Sequence, residues 1–334
     1  MTSALWLAVI LAGLISLVVP VALRPALGRA GILDVPNHRS SHSKPTLRGG
    51  GLAPLMGIAA GGIVVLAGST GVLRQGVALI VLMGVVTGLV GFAEDIKGLP
   101  VARRAVFQFL LGGVLAAGLS WLAGTGWVWI PVAALFFAAH VNFTNFMDGV
   151  NGISGLHGSV VGVAYAVIGA SEGSTALVVG GLMTALVFAA FLPWNLIPPG
   201  FFLGDVGSYL LGGMVGGLAL FALWAGISPI AALAPVSIYW VDTVGTLLKR
   251  LSRREQIFEA HRTHIYQQIT DLGFTHIGVA IVVAVLTAFA SGAGLLGASG
   301  KPGMVFLSLL LLVLVWATYL TLPRTLAKRG SLRR

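Results

Sequence analysis

The chain of 334 residues contains no cysteine. Disulfides, thiolate metal sites and cysteine nucleophiles are therefore excluded. Charge is also scarce: Asp, Glu, Lys and Arg make up 9% of the chain, against about 25% in a soluble domain. Acidic residues number only ten, beside twenty basic ones. Hydrophobic residues reach 57%, with a mean hydropathy of +0.97. An ordinary soluble fold is thereby excluded. The net charge of +10 invites a polyanionic partner, but the sequence holds no soluble module with a basic, aromatic-bearing face, so nucleic acid is excluded too. The first apolar stretch has no Lys or Arg before Arg24. It lacks the basic start of a secretory signal and reads as a retained helix.

What the chain does have is a succession of apolar stretches of the length that crosses a bilayer, about 20 residues each. They are rich in Leu, Val, Ala and Gly and lack barrel alternation. The fold class expected is all-α: a polytopic integral membrane protein, one domain over 1–334. Eleven spans fit, at 4–22, 50–69, 75–93, 104–122, 126–141, 155–170, 175–193, 206–224, 229–247, 275–296 and 304–322. Eighteen of the twenty basic residues fall in odd-numbered connections or the C-terminal tail; the exceptions are Arg74 and Lys301. That bias places the odd loops and the C-terminus in the cytoplasm and the N-terminus outside.

The acidic residues keep to the same side, although the topology rule does not ask it of them. Asp34, Glu94, Asp95, Asp148, Asp205, Glu255, Glu259 and Asp271 lie in or beside odd connections, and only Glu172 lies outside. Asp242-Thr243, near the cytoplasmic end of the ninth span, reads as a buried polar pair. A transporter more commonly keeps its ionisable site at mid-membrane. An enzyme of the cytoplasmic interface, joining a water-soluble and a lipid substrate, fits the distribution better. The competing class is a non-catalytic carrier or flippase for a lipid-linked or nucleotide sugar.

The organising stretch is Asn142-Phe143-Thr144-Asn145-Phe146-Met147-Asp148-Gly149-Val150-Asn151-Gly152. It cannot continue a lipid-facing helix without exposing polar groups to hydrocarbon. A break facing water or ligand is expected there, with Asn142 and Asn145 one helical turn apart as site residues. Four other fragments lie on the same side. Glu94-Asp95 ends the third span, where two carboxylates oppose the helix dipole and call for a metal or cations. Gly204-Asp205-Val206-Gly207-Ser208 opens the eighth; Asp205 there is either a site carboxylate or a helix N-cap. The preceding Trp194-to-Leu203 loop presents Asn195 and aromatics that can hold a planar base. His261 and His264 share a face if their segment is helical, and with Arg262 they can clamp a diphosphate; the alternative is a surface amphipathic helix. The loop from Asp34 to Gly51, containing Lys44, brings a glycine triplet whose amides favour anions at a helix start, or else it faces anionic lipid. Magnesium is the natural ion for such oxygen ligands and a phosphate substrate.

Together these motifs resemble the polyprenyl-phosphate N-acetylhexosamine-1-phosphate transferases. That group of family 4 glycosyltransferases shares a superfamily with phospho-N-acetylmuramoyl-pentapeptide transferase. The resemblance runs in order from Asp34 to Gln268. Asp34-Val35-Pro36-Asn37-His38-Arg39 with Arg48-Gly49-Gly50-Gly51, and His261-Arg262-Thr263-His264-Ile265-Tyr266-Gln267, resemble the branch that starts O-antigen or related surface-polysaccharide synthesis. The resemblance implies transfer of sugar 1-phosphate from a UDP-2-acetamido sugar to undecaprenyl phosphate, at the cytoplasmic face of a bacterial cytoplasmic membrane, with UMP released. It implies that Asp205 and Asp148 hold Mg2+, and that Asp148 with Gly149 and Asn151 meets the uridine diphosphate. Asn195 and Phe202 match the uracil contacts, and Lys44 and Arg262 fall among substrate contacts. Asp95 matches a carboxylate that activates or places the lipid phosphate, and His261 and His264 match the histidine motif. Two positions depart from the family pattern: Glu94 stands for the first Asp of an Asp-Asp pair, and Asn151 for an Asp. Direct attack by the lipid phosphate is expected, since that group is already anionic near neutral pH. The glycine run at 212–217 permits close packing within a chain or between copies, including a homodimer.

Overall fold

The computed structural model describes residues 1–34, 45–198, 200–256 and 262–331. Its helices, in order, are α1 (Ser3–Val18), α2 (Pro20–Arg29), α3 (Leu52–Gly68), α4 (Gly71–Lys97), α5 (Val101–Ala123), α6 (Ile130–Met147) and α7 (Ile153–Ser171). They continue as α8 (Thr175–Leu196), α9 (Gly204–Trp224), α10 (Pro229–Leu233), α11 (Ser237–Ser252), α12 (Ile265–Asp271), α13 (His276–Gly297) and α14 (Pro302–Ser331). Strands β1 (Leu33–Asp34) and β2 (Thr46–Leu47) pair antiparallel, Leu33 opposite Leu47. The protein is an all-α polytopic membrane protein. Among the described residues, nine helices are long and apolar enough to cross a membrane. The bent pair α1–α2 adds a tenth, and α3 is apolar but only 17 residues long. The eleven stretches read from the sequence fall on these helices, but 4–22 is broken between α1 and α2 and 229–247 between α10 and α11.

Helix α9 is the centre. Its most apolar window is 94% buried, against 17% for that of α14. A helix that is apolar all round belongs inside a bundle, and six glycines let neighbours close on this one. Gly213 meets Thr87 and Gly84 of α4, and Gly212 meets Val141 of α6. Gly216 meets Phe137 of α6, and Gly217 meets Ile80 of α4. The 212–217 run is therefore consumed within one chain, which removes the reason for assigning it to a homodimer.

The reciprocal stripe on α4 is Gly84, Gly88 and Gly91. Their missing Cβ atoms would meet Met214, Leu210 and the Asp205 carbonyl respectively. At these spacings they share one helix face, and Asp95, one turn beyond Gly91, continues it. The α4–α9 seam thus delivers Asp95 to the first turn of α9. A second buried cluster joins Met147, Val150 and Ile153 to Tyr239, Tyr266, Ile269 and the inner faces of α13 and α14. The Asp148 turn lies where the two clusters meet.

Candidate functional site

Asp95 has no exposed side-chain surface and accepts the backbone N–H groups of Asp205 and Val206, both at 3.0 Å. The positive end of α9 is thereby capped by a carboxylate from α4. Arg48 completes the arrangement, with Nε 2.6 Å from Asp95 and Nη2 2.8 Å from Asp205. Burial disfavours the Arg48 cation, yet the carboxylates of Asp205 and Asp95 outweigh it and raise its pKa. Asp205 does not cap its own helix. Its other oxygen accepts Asn145 Nδ2 at 2.8 Å, and Asn145 also donates to Ser208 Oγ at 3.0 Å.

The stretch at 142–147 is helix, not the expected break. Its amides never meet hydrocarbon: Asn145 bonds to α9, and Asn142 donates to Gln108 of α5 at 2.5 Å and to the Ala138 carbonyl at 2.8 Å. With those groups satisfied, α6 continues to Met147 and the chain breaks at Asp148. Gly152, at φ +89°, turns the chain into α7. Asp148 accepts from Ser154 Oγ at 2.7 Å. Burial pushes its carboxyl up to about 7; the Ser154 hydroxyl opposes that shift and the Asp205 carboxylate adds to it. Asn195 clamps the turn from the other side. Its Oδ1 accepts the Gly152 N–H at 2.5 Å, and its Nδ2 donates to the Phe201 carbonyl at 3.1 Å. Asn151 donates its backbone N–H to His276 Nδ1 at 3.4 Å.

The sequence profile of glycosyl transferase family 4 matches residues 77–223. That window holds Glu94, Asp95, Asn145, Asp148, Asn195 and Asp205. The chain is 25% identical over 313 residues to a probable undecaprenyl-phosphate N-acetylglucosaminyl 1-phosphate transferase of Bacillus subtilis, covering 90% of this chain and 85% of that one. It is 28% identical to the undecaprenyl-phosphate alpha-N-acetylglucosaminyl 1-phosphate transferase of Escherichia coli K12, over 86% of this chain and 83% of the relative. A decaprenyl-phosphate N-acetylglucosaminephosphotransferase of Mycobacterium tuberculosis is 24% identical, over 78% and 74%. Over residues 77–223, then, the chain is similar to glycosyl transferase family 4.

The two adjacent carboxylates of α4 part company in the structure. Asp95 faces α9, whereas Glu94, 100° round the helix, faces α5. Glu94 accepts from Arg104 Nη1 at 2.9 Å and from the Leu99 N–H at 2.5 Å, and the same Arg104 nitrogen donates to the Tyr209 hydroxyl at 3.1 Å. The glycine triplet offers no amide nest for an anion. Gly50 and Gly51 donate to the Phe202 and Leu203 carbonyls at 2.9 and 2.8 Å, and their missing side chains make room for the start of α9. Phe201 is buried in the core, leaving Phe202 as the half-buried aromatic of its loop.

The histidine clamp needs correction. His264 precedes α12 in extended backbone and turns inward, its Nδ1 2.8 Å from the buried Asp242. Arg262 pairs with Asp271 at 2.9 Å instead. Two residues of one expected clamp thus point to different partners, because the buried Asp242 demands His264. Lys44 and His261 lie outside the described residues. Arg48 is the main residue that sequence reading left off the site; its signal is a lone arginine immediately before a glycine triplet.

Among the described residues no three His, Cys, Asp or Glu groups form a metal cluster. Magnesium does not need one: one or two carboxylates plus substrate phosphates suffice. Asp205 fits, being partly exposed and acidic, and the like-charge pressure on Asp148 is what a nearby cation would relieve.

Proposed function

We propose that this protein transfers an N-acetylhexosamine 1-phosphate from its UDP derivative to undecaprenyl phosphate, at the cytoplasmic face of a bacterial cytoplasmic membrane. The observation that carries the reading is the meeting of Arg48, Asp95, Asn145 and Asp205 at the first turn of α9, beside the Asp148 turn. This is a charged, hydrogen-bonded centre at the end of an otherwise apolar bundle. The names of the relatives support a polyprenyl-phosphate acceptor and an N-acetylglucosamine 1-phosphate group. An apolar groove of about 380 Å³ between α4 and α5, running to Arg103 and Arg104, supports an amphipathic phosphate acceptor.

In the reaction an oxygen of the lipid phosphate attacks the β-phosphorus of the UDP-sugar. The bond from that phosphorus to the bridging oxygen breaks, and UMP leaves with the electron pair. The sugar keeps its bond to the β-phosphate throughout. Phosphoryl transfer of this kind depends on position and charge neutralisation more than on proton transfer. Asp205 and Asp148 would hold Mg2+, which when bound neutralises diphosphate charge and stabilises the leaving UMP. Arg48 supplies a second cation. Asp95, its side chain buried and bound by two amides and Arg48, orients Arg48 and the start of α9. Phe202, Asn151 and Asn195 are proposed to meet the uracil end of the donor, Asn195 through the turn it holds at Gly152. O-antigen or related surface-polysaccharide initiation is the proposed setting.

The test is UMP release by purified protein with undecaprenyl phosphate, Mg2+ and a panel of UDP-2-acetamido sugars, with EDTA as control. Release that needs lipid, metal and one sugar is the expected result. Sugar movement across vesicles without any UMP would replace the transferase by a carrier.

A further inference from the structure

The geometry points to Asp242 and Tyr266 as positioning residues that set the place of the Asp148 turn, an inference that rests on the transferase reading for its catalytic arm. Asp242 lies in α11 with no exposed side-chain surface. A buried carboxylate is costly unless its oxygens are filled. Here four groups from three directions fill them. His264 Nδ1 lies at 2.8 Å and the Ile265 N–H at 3.1 Å, both at the start of α12. The Tyr319 hydroxyl of α14 donates at 2.5 Å, and Thr246 at 3.3 Å.

Helix α12 has seven residues, too few to persist unaided. Asp242 fixes its first turn from outside, and the Gln267 side chain accepts the His264 N–H at 3.2 Å. What that turn presents is Tyr266. Its ring is buried, and its hydroxyl donates to the Phe146 carbonyl at 3.0 Å. Phe146 is in the last turn of α6, where carbonyls lack helical partners. The same hydroxyl occupies the space that a Cβ on Gly149 would need. Asp148 sits between these two contacts. The route is continuous: Asp242, the start of α12, the Tyr266 hydroxyl, then the backbone on either side of Asp148. A buried polar cluster of this kind is a poor stabiliser next to apolar packing of the same volume. Its use here is to hold one geometry, and none of these groups needs to touch substrate.

The experiment uses the full-length protein with Asp242→Asn, Tyr266→Phe and the double variant. Kinetics of UMP release should show kcat lowered ~100-fold by Asp242→Asn and ~10-fold by Tyr266→Phe, since displacement of about 1 Å costs that much. KM for donor and acceptor should stay within about threefold. The double variant should be no slower than Asp242→Asn alone, because both act through one strut. Amide hydrogen exchange should rise at 146–152 and stay unchanged at 204–210. Additive losses in kcat, wild-type exchange at 146–152, or exchange raised throughout the chain would each overturn the proposal. If Asp242→Asn fails to fold, Tyr266→Phe decides by the same two readouts. If the wild type releases no UMP, the transferase reading falls while the exchange measurement still judges the strut.

Discussion

Asp95 and Asp242 are both buried carboxylates that hold the start of a helix other than their own, yet their surroundings differ in what they leave open. Asp95 caps α9 and shares Arg48 with Asp205, and Arg48 is 31% exposed. Asp242 holds α12 with His264 and Tyr319, both buried. Around Asp95 the cation reaches water, so charge there can be lent to a substrate. Around Asp242 the side-chain partners His264, Tyr319 and Thr246 are all buried, so the carboxylate is spent on holding the chain. Burial of an acid is therefore no mark of chemistry by itself; what matters is whether its counter-charge faces a place a ligand can enter.

Substitutions should separate the two regions, beginning with the largest effect. Asp205→Asn should lower kcat by roughly 10³-fold while the protein still inserts, because it removes a carboxylate proposed to hold the Mg2+ that neutralises the diphosphate; turnover near wild type would move the centre elsewhere. Arg48→Ala should cost activity about 10²-fold and also ~2–3 kcal/mol of stability, since Asp95 is left buried without its cation. Arg48→Lys should recover stability more than activity, because one ammonium cannot span two carboxylates as a guanidinium does. Denaturant midpoints and UMP release, measured on the same preparations, check the pair. Magnesium should raise the melting temperature of wild type and Tyr319→Phe but not of Asp205→Asn, placing the cation on the Asp95 side of the comparison. An equal response in all three would place it elsewhere.

The smallest expected effect concerns pH. Burial raises the Asp148 carboxyl from 3.8 to about 7, so the folded state binds this proton more tightly than the unfolded state does. The stability it contributes is full below 3.8 and is lost as pH rises through about 7. Metal-free wild type should therefore lose melting temperature over that window relative to Asp148→Asn. A parallel pH course in the two proteins would deny the shift.

Much of this was legible in the sequence. The all-α, many-span character is there, and Asn145, Asp148 and Asp205 of the expected site do come together, although the break falls at Asp148 and not at Asn142. Helix ends next to polar clusters were harder to read. The sequence sets Asn142 and Asn145 against hydrocarbon only if no neighbour answers them, and Gln108, Asp205 and Ser208 do answer them. The divergence of Glu94 from Asp95 was hidden because adjacency in sequence is 100° on a helix. The stripe of Gly84, Gly88 and Gly91 carried the phase that would have shown it. His264 was misplaced for a related reason: a histidine beside an arginine reads as a surface clamp until the buried Asp242, 22 residues earlier, is known to face it.

The central claim is that this centre moves a sugar together with its phosphate. Donor labelled with ³²P at the β-phosphate tests it directly, with undecaprenyl phosphate and Mg2+ present. The account predicts label in the lipid fraction, equal in amount to the UMP released, and neither signal with Asp205→Asn. Sugar reaching the lipid while the β-label stays in water, on UDP, would contradict it.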